Sequence, residues 1–186
     1  EARFTVSVVK QWINRNNKRS EVAVLYRSNA QSRALEEEFI QAGIPYRIYG
    51  GLRFFERAEI KDALAYMRLM TAHNDDAAFE RIINTPTRGI GNTTIESLRT
   101  HARSNKISLW QASVELLDQK LLSSRALSAL QNFIDLITEM GMQTKEFDLG
   151  LMAEHVIEVT DLINHFRKEK GEKGRARVEN LQELVT

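Results

Sequence analysis

A turn with two glycines lies near the middle of the chain, and its backbone could bind a phosphate group. One helical pattern stops at Pro86 and the next starts near Thr93. Gly89 and Gly91 permit backbone conformations and close approaches that a Cβ would block, so the amides here and at the next helix start could face an anion. Arg88 could add a charge-assisted contact, and the threonines could cap the helix or donate to a phosphate. The predicted phosphate-binding residues are Arg88, Gly89, Ile90, Gly91, Thr93 and Thr94; an ordinary corner between two helices is the alternative interpretation.

A second candidate site follows the first predicted strand, residues 21–26. Ligands gather where a buried strand delivers its carboxyl end into a helix. Arg27 could contact a phosphate or stack on a base, and Asn29 could hydrogen-bond a base or the backbone. The alternative gives Asn29 only a helix-capping role and Arg27 only a surface ion pair.

Several classes of protein are excluded by what the sequence lacks. It contains no cysteine, which excludes disulfides and thiolate metal sites and favours a reducing cytoplasm. No Gly-x-x-x-x-Gly-Lys-Ser/Thr loop is present to hold ATP phosphates. The four histidines share no metal-ligand spacing, and no set of residues recommends itself as catalytic. No apolar run approaches the roughly 20 residues that span a bilayer. We therefore expect a cytoplasmic protein without a metal site, a catalytic set or a membrane contact.

The elements that must position these residues change character near residue 50. Helical spacing from Phe4 to Ile13, a strand over 21–26, a helix after Asn29 that stops at Gly43, and a strand over 45–49 predict a short α/β piece. From Glu56 onward the pattern is helical throughout. The fold class predicted is mainly α, with a short N-terminal α/β piece followed by a helical domain that contains a helix-hairpin-helix-like turn. Two strands are too few for a stable sheet, so the chain is expected to be a fragment of a larger protein.

The segment 50–57 mixes glycines, arginines and phenylalanines between the two parts. Its aromatic rings could stack on single-stranded bases, or they could be core residues that fasten one domain to the next.

The charge also differs along the chain: residues 111–160 carry three basic and eight acidic groups, whereas residues 1–110 carry 17 basic and 12 acidic groups. A polyanion would prefer the N-terminal part, although solvated helix faces explain the same pattern.

Eight blocks of the sequence together resemble superfamily 1 DNA helicases of the UvrD/Rep/PcrA group. They are VAVLYRSNAQSR at 22–33, GIPYRIYGG at 43–51, RFFER at 53–57, EIKD at 59–62, NTPTRGIG at 84–91, LW at 109–110, EKGEKG at 169–174 and ENLQEL at 179–184. The resemblance covers essentially the whole chain. It implies a partial RecA-like subdomain 2A over residues 1–52 and the helical subdomain 2B over residues 53–186.

The resemblance also implies a function. The parent protein would be an ATP-dependent 3′-to-5′ DNA helicase of repair and replication that uses ATP and Mg, with those sites in segments absent here. The glycine turn would grip duplex DNA, and Arg27 and Asn29 would line the single-strand track. The implied partners are a single-strand/duplex DNA junction and the missing helicase core subdomains. The alternative is a regulatory module whose acidic 111–160 region docks mismatch- or excision-repair proteins.

Overall fold

The computed structural model of the chain describes residues 1–49 and 51–185, and these form ten α-helices joined by short loops. Three short 3₁₀ turns lie at Arg19–Glu21, Asn29–Gln31 and Phe54–Glu56. The helices are α1 (Ala2–Asn14), α2 (Ser32–Gln41), α3 (Ala58–Thr71), α4 (Asp76–Ile82), α5 (Asn92–Asn105), α6 (Leu109–Asp118), α7 (Ser124–Gln143), α8 (Leu149–Val159), α9 (Leu162–Arg167) and α10 (Glu172–Val185). The predicted mainly-α class is confirmed. None of the described helices is both long and apolar enough to cross a bilayer.

Helix α3 lies at the centre of the helical region, residues 58–185. It packs against α4, α7, α8 and α10, and most of its side chains are buried. The core around it is built from aliphatic and aromatic side chains such as Leu69, Phe79 and Phe133, each at most 1% exposed. The rings of Phe79 and Phe133 meet edge to face at 5.4 Å between centroids. This geometry is the favoured one for two buried phenyl rings, and it fixes α4 against α7.

Local signals in the sequence set the ends of several helices. Side-chain oxygens of Asp75, Ser108, Ser123 and Asp148 accept hydrogen bonds from backbone amides in the first turns of α4, α6, α7 and α8. Gly43 ends α2 with φ of +65°, as its position after the apolar pattern predicts. Ser28 rather than Asn29 caps the turn before α2, since its Oγ accepts from the Ala30 amide at 3.4 Å. The capping role predicted for Asn29 is therefore wrong.

The two strands predicted in the N-terminal region are not formed, and the residues 1–49 and 51–185 contain no strand at all. Side chains do alternate along 22–26 and 44–49 between half-buried and exposed positions, as they would in strands. The two segments, however, line a shared cavity of about 670 Å³ and do not pair with one another. A strand exists only where a neighbour about 4.8 Å away completes its hydrogen bonds. The pattern thus predicted extended backbone, but the pairing partner is missing.

Candidate nucleic-acid interface

The glycine turn connects α4 to α5 and is anchored by one buried side chain. Ile90 is fully buried in the core, whereas Gly89 and Gly91 on either side are exposed. Gly89 has φ of +79°, a conformation that other residues rarely adopt. Gly91 has ordinary extended backbone, and a Cβ there would meet nothing within 4 Å. Only Gly89 is thus required by the turn itself, and the space over Gly91 is open to a ligand.

Five consecutive amides of this turn donate no hydrogen bond to the described part of the protein. They belong to residues 89–93, and the first amides that do donate are those of Thr94 and Ile95, both to the Gly91 carbonyl at 3.0 and 3.2 Å. No side chain caps the start of α5. Backbone amides that lack a protein partner at a helix start attract anions, because the helix dipole adds to their own partial charge. Because Ile90 is fully buried, the amides that could hold a phosphate oxygen are those of the exposed residues Gly89, Gly91, Asn92 and Thr93.

The side chain of Arg88 folds inward and braces the turn. Its Nη1 donates to the carbonyls of Ile82 and Pro86, both at 3.1 Å, and its Nη2 donates to the Tyr66 hydroxyl. The guanidinium also lies over the rings of Tyr66 and Phe133, at 5.5 and 5.7 Å from their centroids. These contacts occupy the end of the side chain, so the guanidinium stabilises the turn from within the protein.

Tyr66 completes this brace from the middle of α3. Its ring is fully buried, and its hydroxyl donates to the Thr85 carbonyl at 2.6 Å. Burial raises the pKa of Tyr66 to about 12, so the hydroxyl stays protonated and keeps that bond. The Arg88 amide donates to Asn84 Oδ1 at 2.8 Å and fixes the other end of the turn. Nothing in the sequence indicates this role for Tyr66, because the residue lies in the apolar stripe of α3 and its hydrogen-bond partners are distant in the sequence.

The two threonines predicted beside the turn lie in different environments. Thr93 is exposed on the first turn of α5, next to the open amides, whereas Thr94 is only 7% exposed. Neither side chain caps the helix.

An ion pair joins α5 to α4: Arg99 donates to both carboxylate oxygens of Glu80, at 2.6 and 2.9 Å. These hydrogen bonds from Arg99 hold the pKa of Glu80 below its ordinary value.

The second predicted site is a loop, residues 27–31, at the start of α2. The side chains of Arg27 and Asn29 are exposed and make no hydrogen bond or ion pair within the described chain. The backbone around them is well held: the Arg27 and Ser28 amides both donate to Gln31 Oε1, at 3.0 and 3.1 Å. The loop therefore presents a free cation and a free amide side chain on a fixed backbone.

The structure does not bring the two predicted sites into contact, but α3 connects them. Arg57, immediately before α3, donates to the Asn29 carbonyl of the loop at 2.8 Å. Tyr66 in the middle of α3 holds the glycine turn, and nine residues of helix separate the two by about 14 Å along the axis. The phenylalanines of the segment 50–57 lie in different environments. Phe54 is fully buried and Phe55 is 48% exposed, so only Phe54 is a core residue.

The described residues offer no group of three or more His, Cys, Asp or Glu side chains that could hold a metal ion. The sequence likewise has no glycine-rich loop followed by Lys and Ser/Thr of the kind that holds nucleotide phosphates.

Known proteins with similar sequences are DNA helicases. The chain is 54% identical to DNA helicase II of Escherichia coli, 53% identical to DNA helicase II of Salmonella typhimurium and 34% identical to ATP-dependent DNA helicase PcrA of Bacillus subtilis, in each case over its full length. It covers 26%, 26% and 25% of these proteins, so it spans about a quarter of the relatives it matches. The UvrD-like helicase C-terminal domain matches it over residues 1–186, and the chain belongs to that family.

Proposed function

We propose that this chain is the DNA-binding part of an ATP-dependent 3′-to-5′ DNA helicase of repair and replication. Residues 1–52 would be part of a RecA-like subdomain 2A, and residues 53–186 the helical subdomain 2B. ATP and Mg would be bound by parts of the helicase outside these 186 residues, since the chain has no phosphate loop of its own. The printed names of its relatives, DNA helicase II and ATP-dependent DNA helicase PcrA, support this assignment.

The glycine turn would grip duplex DNA through its backbone, in the manner of a helix-hairpin-helix. The observation that carries this proposal is the run of amides at 89–93 that have no partner among the described residues, four of which belong to exposed residues. Exposed Thr93 could add a hydroxyl contact, and the Arg88 guanidinium would stabilise the turn that presents the amides. Ile90 and Thr94 are buried and would contribute by anchoring the turn. Contacts of this kind reach phosphates only, so binding would be independent of base sequence and weakened by salt.

The loop at 27–31 would contact the single strand. Its support is the pair of exposed side chains, Arg27 and Asn29, for which the described residues provide no hydrogen-bond or ion-pair partner. An arginine can pair with a phosphate or stack on a base, and an asparagine can hydrogen-bond either. Together the two sites fit a DNA junction with one duplex arm and one single-stranded arm.

Titration with a blunt DNA hairpin at two salt concentrations tests the duplex grip. Gly91→Val adds a side chain next to the open amides at a position with ordinary extended backbone, where a Cβ meets no atom within 4 Å, and we expect it to weaken hairpin binding by about tenfold. Gly51→Val is the matched control, because that glycine also has open space and no positive φ. Unchanged affinity in Gly91→Val, or no binding of the unmodified chain at low salt, contradicts the proposal.

A second candidate function, docking of a partner protein, is favoured by apolar side chains exposed in the acidic 111–160 region. Met142 is 58%, Leu149 75% and Leu151 50% exposed, and they stand near the acidic Asp148 and Glu154 in sequence. A basic partner with apolar anchors would suit such a surface. Capture of nucleotide-excision or mismatch-repair proteins that fails in Glu154→Lys but survives in Gly91→Val would support docking, and the reverse result would contradict it.

A further inference from the structure

Arg57, immediately before α3, carries a buried guanidinium that contacts the loop at 27–31. The residue is 8% exposed and lies over the Phe54 ring, 5.2 Å from its centroid. Its Nη1 donates to the Asn29 carbonyl at 2.8 Å, and its Nη2 donates to Ser32 Oγ at 2.6 Å. A buried charge is tolerated only where its donors are satisfied, so these bonds hold the loop and the guanidinium in one fixed arrangement.

The other partners of Arg57 belong to the helical region. Nη1 also donates to Asn180 Oδ1 on α10 at 2.7 Å, and Asn180 in turn donates to Glu59 Oε1 on α3 at 2.6 Å. Glu59 is 4% exposed, and Arg177 lies 3.7 Å from its other oxygen. Asn180 therefore links the Arg57 guanidinium to one buried carboxylate, and the buried carboxylate of Glu36 also stabilises its charge. Apart from the loop and Ser32, the first residue of α2, the hydrogen-bonded members of this network sit on, or immediately before, α3 and α10.

Helix α10 contacts the same loop directly. Ser28 Oγ donates to Glu179 Oε2 at 2.8 Å, and Arg33, on the adjoining helix α2, donates to the Glu183 carbonyl. The loop is thus held on its inner side by Arg57 and α10, while the side chains of Arg27 and Asn29 face outward without a partner in the described chain.

We propose that Arg57 is a positioning residue for single-stranded DNA. By holding the main chain of Asn29, it keeps the Arg27 and Asn29 side chains in the arrangement that a nucleic-acid strand requires. The affinity for a single strand is then set by a buried network in the helical region, although none of that network touches DNA. This role rests on the proposed single-strand contact, and it is separate from the glycine turn, which Arg57 does not touch.

Arg57→Gln tests the role, with Arg81→Gln as its matched control. Arg81 belongs to α4, and its side chain also reaches the start of α3. It donates to the Ala58 carbonyl at 3.1 Å and pairs with Asp62 at 2.7 Å, but it makes no hydrogen bond or ion pair with residues 27–33. Binding of a short oligothymidylate and of a blunt DNA hairpin is measured for the whole chain. We expect Arg57→Gln to weaken oligothymidylate binding by about tenfold and hairpin binding by less than about twofold. Arg81→Gln should change neither.

Ser32→Ala keeps the test decisive if Arg57→Gln fails to fold by circular dichroism. It removes one hydrogen bond to the guanidinium and should weaken oligothymidylate binding alone, by about threefold. Equal losses for both DNAs, or none for the single strand in the folded variants, overturn the role of Arg57. A chain whose oligothymidylate binding is undetectable, or is unchanged by Arg27→Ala and Asn29→Ala, instead overturns the proposed single-strand contact and this role with it.

Discussion

The N-terminal region, residues 1–49, and the helical region bury their apolar side chains to different extents. In the helical region Leu69 and Phe79 are at most 1% exposed, whereas in the N-terminal region Phe4 is 73% and Leu25 94% exposed. A helix satisfies its backbone hydrogen bonds within one segment, but a strand needs a neighbour. The helical region can therefore complete a core from contiguous sequence. The N-terminal region leaves its extended segments beside an open cavity, so its apolar side chains have less to pack against.

The largest expected effect comes from truncating one leucine in each region. Leu69→Ala, in α3, should lower the free energy of unfolding by about 3–5 kcal/mol, because it leaves a cavity in a closed core. Leu35→Ala, in α2, should cost about 1 kcal/mol, because Leu35 is half-buried and already borders the cavity. Urea denaturation of the two variants measures both values. Equal losses would show that the two regions are packed alike.

A smaller effect is expected at Gly174 in α10, the helix that joins the two regions. A Cβ there would overlap the Glu169 carbonyl oxygen and lie 2.9 Å from that of Phe166. Gly174→Ala should therefore cost about 1–3 kcal/mol by displacing the start of α10. Gly150→Ala, in α8, is the control: its nearest atom lies at 3.4 Å, and thermal unfolding should change little or rise slightly. Unchanged stability in Gly174→Ala would mean that the start of α10 is not closely packed against the carbonyls of Phe166 and Glu169.

The stability of the two regions at alkaline pH can be compared through one tyrosine in each. Tyr66 has its pKa raised to about 12 by burial, and an unfolded tyrosine ionises near pH 10. Its stabilising contribution should be complete below pH 10 and be lost as the pH rises towards 12, since the unfolded state releases its proton first. Tyr66→Phe should remove about 1–2 kcal/mol at neutral pH and flatten this alkaline loss. Tyr46→Phe, in the N-terminal region, should change the profile less, because Tyr46 is more exposed.

The smallest effect concerns the edge of the helical region, where His73 stacks on Trp110. The ring centroids lie 4.0 Å apart with an interplanar angle of 12°, and burial lowers the pKa of His73 from its ordinary 6.5. The neutral ring is the favoured form, so its contribution should be present above pH 6.5 and be lost as the pH falls through the lowered value. Trp110 fluorescence should follow a transition with its midpoint below 6.5. A midpoint above 6.5 would contradict the lowered pKa of His73, and His73→Phe should abolish the transition.

The sequence predicts the helices well because their signals are local. The apolar spacing of α3 and α7, the stop at Gly43 and the turn between Pro86 and Thr93 all come from residues within a few positions of each other. The strands at 21–26 and 45–49 were predicted from equally local patterns, yet pairing depends on residues far away or on another chain. A local pattern therefore predicts that side chains alternate between buried and exposed positions, but it does not predict which segments pair by hydrogen bonds.

The same distinction explains which site residues the sequence could indicate. Gly89 and Gly91 stand out by type and spacing, but the inward orientation of Arg88 depends on Tyr66 and Phe133, 22 and 45 residues away. In the sequence, Arg57 stands out only as part of the basic and aromatic segment 50–57. Its partner Asn180 lies 123 residues further on, and no short motif encodes such a pair.

The burial of Ile90 between two exposed glycines has a thermodynamic consequence. Because that side chain is fixed in the core, the backbone of the turn is already ordered before any ligand arrives. Binding at this turn would then lose little conformational entropy, and the entropy gained by releasing counterions would be retained almost in full. A grip built in this way can be weak, rapid and reversible without being loose, which suits a contact that must form and break repeatedly along a DNA backbone.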